Sequence, residues 1–156
     1  MTTIRAKSIA SGLALLGALG LASSLQAQTG VGRWVKQSEA SHPAAMTMTI
    51  EACCKGGRRV TYRMAGSAMV MTVTSPFDGS DSPVLVDGKP SGQTMGIKWV
   101  DDHHTITVLK MNGKTLGTSK AAFSKDGKMI TVENDITSTA GGQTVGKQTE
   151  TWVLVK

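Results

Sequence analysis

Three runs of alternating apolar and polar residues between positions 105 and 136 are separated by Asn112-Gly113 and by Lys125-Asp126-Gly127-Lys128. Side chains on a strand point alternately to opposite faces, so such alternation marks a sheet with one buried face. Asn-Gly and Asp-Gly accept the positive φ that tight hairpin turns need. The stretch is therefore predicted as an antiparallel meander. No residue in it belongs to a reactive set, so it is expected to supply wall rather than site.

The alternation recurs upstream. Met46, Met48 and Ile50 share one strand face, as do Val60, Tyr62 and Met64 on the next. Met69, Met71 and Val73 then oppose Val70, Thr72 and Thr74, and the threonine-bearing face is expected in solvent. Positions 75–83 are dense in Ser, Pro, Asp and Gly and are predicted as a loop, followed by a short strand at Val84-Leu85-Val86. Met95, Ile97 and Trp99 share a further face, and Asp101-Asp102-His103-His104 turns the chain into the meander. Positions 144–155 form a long last strand, and a short turn or strand is expected at Trp34, before a loop ending at His42-Pro43. About nine short strands with regular turn signals, and no apolar period of a helix, define an all-β sandwich or barrel. Consecutive hairpins favour an up-and-down order, and closure removes exposed edges, so a barrel is the leading expectation.

The first 27 residues change the compartment. Arg5 and Lys7, an apolar run over positions 9–21 and a small-residue exit read as an export signal, cleaved after Ala27 or after Ala22. The run is shorter than the roughly 20 apolar residues of a spanning helix, so no stable membrane anchor is expected. The expected protein is periplasmic or secreted, with residues 28–156 as one domain. Removing residues 1–27 takes two of the 17 basic residues and none of the 11 acidic ones, leaving a net charge of +4. One tyrosine, two phenylalanines and three tryptophans leave few stacking platforms, which argues against nucleic-acid binding. About two-thirds of the unfolded surface of a domain this size is buried on folding, so one core suffices.

Gly32-Arg33-Trp34, Asp78-Gly79-Ser80-Asp81-Ser82-Pro83 and the turn at positions 124–128 occur in that order along a meander. With them the chain resembles small secreted bacterial proteins with a lipocalin-like, calycin-type β-barrel. The resemblance implies an antiparallel barrel of about eight to nine strands that can hold one small hydrophobic molecule inside. It departs from the pattern at Ser80 and Ser82, and no arginine near the last strand is placed to cover Trp34.

Candidate chemistry lies outside the meander. Met46, Met48, Tyr62, Met64, Met69, Met71, Ile97 and Trp99 are the expected pocket lining, because methionine makes a deformable apolar wall; ordinary core filling is the competing reading. The loop at 75–83 is where an entrance is expected. Thioethers with Cys53-Cys54 would suit Cu(I), and adjacent cysteines would suit a redox-sensitive turn; one buried and one exposed thiol is the plainer expectation. Asp101, Asp102, His103 and His104 are expected as a solvated turn rather than a metal site. Lys55, Arg58 and Arg59 are a candidate patch for an anionic envelope surface, with a solvated turn as the alternative. No catalytic set, metal or cofactor is expected. The leading function is an exported, non-enzymatic binder of a small hydrophobic ligand; a solid-cored structural module of the envelope is the alternative.

Overall fold

The computed structural model describes residues 29–37, 46–138 and 146–155. The expected export signal, the loop ending at Pro43 and positions 144 and 145 of the last expected strand lie outside these residues. The described residues form ten strands: β1 (Gly32–Lys36), β2 (Met46–Cys53), β3 (Gly57–Met64), β4 (Val70–Ser75), β5 (Asp78–Val86), β6 (Lys89–Trp99), β7 (His104–Met111), β8 (Lys114–Phe123), β9 (Met129–Ile136) and β10 (Gly146–Val155). Each pairs antiparallel with its neighbour in sequence, and β1 pairs with β10 to close the barrel. The all-β up-and-down barrel is thus the observed architecture, with slightly more strands than expected.

The extra strand length comes largely from positions 78–83, expected as loop. They belong to β5, whose pairing with β6 is interrupted between Asp78 and Asp81 and again between Pro83 and Leu85. Bulges admit a proline and a glycine that a regular ladder would not, which is why turn-forming composition misleads here.

Connections alternate between two ends. At one end lie the turns β2–β3, β4–β5, β6–β7 and β8–β9; at the other lie β3–β4, β5–β6 and β7–β8, with Asn112 and Gly113 at positive φ as the sequence demands. Trp34 is buried at the first end, 1% exposed, and its indole Nε1 donates to the Gly30 carbonyl over 2.9 Å. Gly30 has φ +80°, and a Cβ there would stand 2.6 Å from Phe123 Cε1, so only glycine fits this close approach. Around Trp34 the core gathers Met48, Ile50, Val73, Ile130 and Trp152.

Candidate functional site

Period-2 alternation turns one face of every strand into the lumen. There it borders a cavity of about 340 Å³.

The floor is aromatic. Phe77, Trp99 and Phe123 stack in series, with ring centroids 5.7 and 5.3 Å apart. The Arg58 guanidinium lies 5.3 Å from the Phe77 centroid and 5.0 Å from that of Trp99. Phe77 reaches its place through a turn with φ +61°, a conformation disfavoured for an aromatic residue, in which the Phe77 N–H donates to Ser75 Oγ over 3.2 Å. Packing against Trp99 and Arg58 offsets that cost. The floor corrects two expectations. Ser75, Phe77 and Ser82 are buried and Phe77 borders the cavity, while positions 78–83 pair with β6 as wall instead of forming the expected loop. Arg58 is 3% exposed and belongs to the interior, because it shares parity with Val60 and Tyr62 on β3; Lys55 and Arg59 alone of the proposed patch face solvent. Burial pushes the Arg58 guanidinium below its usual pKa.

Of the residues expected to line a pocket, Met46, Met48, Tyr62, Met71 and Ile97 border the cavity. Trp99 lies beneath it in the floor. Met64 and Met69 are 42% and 49% exposed at the β3–β4 connection, beyond the wall. Met69 precedes β4, so its parity with Met71 does not carry it into the lumen.

The opposite wall was not expected. Thr107, Ser119, Asn134, Gln148 and Glu150 border the cavity from β7 to β10, the strands read from sequence as plain wall. Alternation does mark these faces, but with polar residues inward among apolar ones: on β7, Thr105, Thr107 and Leu109 border the lumen while Ile106 is exposed. Lys36 Nζ bonds Glu150 Oε1 over 2.6 Å at this wall.

Tyr62 packs edge-on to Trp152, with centroids 6.2 Å apart. Burial, and secondarily the Glu150 carboxylate, pushes its phenol up to about 12. The unfolded tyrosine would ionise near its ordinary value of 10.0 while the folded one stays neutral, so this contribution is complete below pH 10 and is lost as pH rises towards 12. It amounts to about 2–3 kcal/mol. Because the chain has one tyrosine, tyrosinate absorbance reads this group alone. A spectrophotometric titration should place its midpoint well above 10; an ordinary midpoint would show that the phenol is hydrated. Tyr62→Phe should remove this part of the alkaline loss of stability.

Cys53 and Cys54 are disulfide-bonded to each other, not one buried and one exposed thiol; they lie on the turn at the floor end, with Cys54 and Lys55 at positive φ. They are therefore remote from Met46 and Met71 near the other end. His104 Nδ1 lies 2.8 Å from both carboxylate oxygens of the exposed Asp101. Among the described residues no three His, Cys, Asp or Glu side chains are grouped to hold a metal. Also among these residues, no helix is long and apolar enough to cross a membrane.

An antiparallel meander closed end to end around a lumen is a calycin-like barrel architecture. The fold is similar to that of the fluorescent protein UnaG, known from the crystal structure of a mutant: TM-score 0.60 at 11% identity, over 82% of this chain and 97% of the other. No protein-family model matches the sequence, and no curated protein matches it.

Proposed function

We propose that this chain is an exported, non-enzymatic protein that carries a small, largely apolar molecule inside its barrel, the role that its resemblance to secreted bacterial lipocalin-like proteins implies. The observation that supports this reading best is the cavity of about 340 Å³, bordered by Met46, Met48, Met71, Met95 and Ile97 and floored by aromatic rings. Its volume falls within the roughly 300–1,000 Å³ range of small-molecule sites. Four methionines, on β2, β4 and β6, let the wall adapt to an occupant's shape. The likeness to a compact barrel of known structure supports a binding role over a catalytic one. Export rests on the leader at positions 1–27, and contact with an anionic envelope surface would fall to the exposed Lys55 and Arg59.

Trp152 borders the cavity, so its fluorescence should report occupancy. Titration with a neutral environment-sensitive dye should saturate, and Val132→Trp, which fills the lumen, should weaken binding at least about tenfold without unfolding the barrel. Undiminished binding to that folded variant would place the dye outside the lumen. The absence of saturable binding, together with no co-purifying small molecule in native mass spectrometry, would sink the proposal.

A further inference from the structure

Apart from Tyr62, the polar side chains that border the cavity gather on β7 to β10, among apolar neighbours such as Leu109, Ala121, Val132 and Ile136. Across β7 to β10, Thr107 pairs with Ser119, Ser119 with Asn134 and Asn134 with Gln148, so four polar side chains stand at one level of the barrel. Ser119 Oγ donates to Asn134 Oδ1 over 2.6 Å. Two residues along β10 towards the floor, Glu150 borders the same space. Its Oε1 accepts from Lys36 over 2.6 Å, which leaves Oε2 for another donor. The nearby cations are both engaged: Lys36 with Glu150, and Arg58 against the floor rings.

An ionised head group loses its hydration on entering such a space and needs a cation or several donors in return. A carboxylate here would meet Glu150 instead. A neutral head with an N–H or O–H would find a charged acceptor at Glu150 and amide partners at Asn134 and Gln148, and hydrogen bonds to charged groups are the stronger ones.

We infer that the occupant is an apolar molecule with a neutral hydrogen-bond-donating head, of the primary amide or alcohol class, and not a free carboxylic acid. Its hydrocarbon part lies against the methionine wall and above the aromatic floor. Its head lies at the level of Ser119, Asn134 and Gln148, within reach of Glu150. This inference rests on the ligand-binding role proposed above.

Decanamide, decanol and decanoate share one chain and differ in the head, so competition of each against the bound dye at neutral pH isolates the head group. Decanamide and decanol should compete at least about tenfold better than decanoate. Glu150→Gln removes the opposing charge and releases Lys36, and should strengthen decanoate about tenfold, so that the preference narrows or reverses. Asn134→Leu should weaken decanamide several-fold while the dye still binds.

Equal competition by decanoate and decanamide in the natural chain would overturn the head-group inference and leave the binding role standing. So would an unchanged ratio in folded Glu150→Gln. Should that variant not fold, the ratio in the natural chain and the response of Asn134→Leu decide. Failure of the dye and all three competitors to bind would instead overturn the proposed function itself.

Discussion

Trp34→Ala should cost about 3–5 kcal/mol, a large share of the 5–15 kcal/mol that holds a typical domain together. The indole is 1% exposed and sits between Met48 on β2 and Leu154 on β10, so its removal leaves a void at the seam of the barrel. The Gly30 carbonyl also loses its donor. Urea unfolding followed by far-ultraviolet circular dichroism measures the effect without relying on tryptophan emission. Trp34→Phe should lose less, since much of the volume remains. A loss below about 1 kcal/mol for Trp34→Ala would show that the seam closes without the indole.

Arg58→Ala should cost about 2–4 kcal/mol, although exposed charges replaced by alanine usually change stability by under about 0.5 kcal/mol. The side chain is buried and presents its guanidinium to both the Phe77 and the Trp99 rings. Its burial also carries a desolvation cost, which lowers its pKa. A thioether of similar length would fill the space without that cost, so Arg58→Met should lose less than Arg58→Ala, and Arg59→Ala should be near neutral. Equal, small effects of Arg58→Ala and Arg59→Ala in denaturant unfolding would return Arg58 to the surface patch.

Alternation made most of the barrel legible. The faces of Met46, Met48 and Ile50, of Met71 and Val73, and of Met95, Ile97 and Trp99 all follow from it. Arg58 is in step with Val60 and Tyr62, but it lies in a run of cations and glycines that reads as a solvated turn, so its inward direction shows only once β3 is seen to begin at Gly57. Phe77 had no such signal. It sits among Pro76, Asp78 and Gly79, and its inward direction comes from a bulged, left-handed turn that composition cannot specify. The polar wall was hidden for a related reason. Inward threonine, serine and asparagine look like a solvent face unless the interior is known to be a cavity. That property belongs to the closed barrel and to no single strand.

Closure also bears on how the chain folds. Nine of the ten ladders join strands adjacent in sequence, but the tenth joins β1 to β10, and its flanking ion pair links residues 114 positions apart. Such distant pairing carries the largest loop-closure entropy and is rewarded only after the neighbouring hairpins have formed. β1 is also a five-residue strand with four paired positions on either side. The seam at Trp34 is therefore expected to zip last and to open first, and hydrogen exchange should run fastest there among the buried ladders. While β1 is detached, β2 and β10 each present an unpaired edge, so the interval before closure is when one copy is most exposed to strand exchange with another.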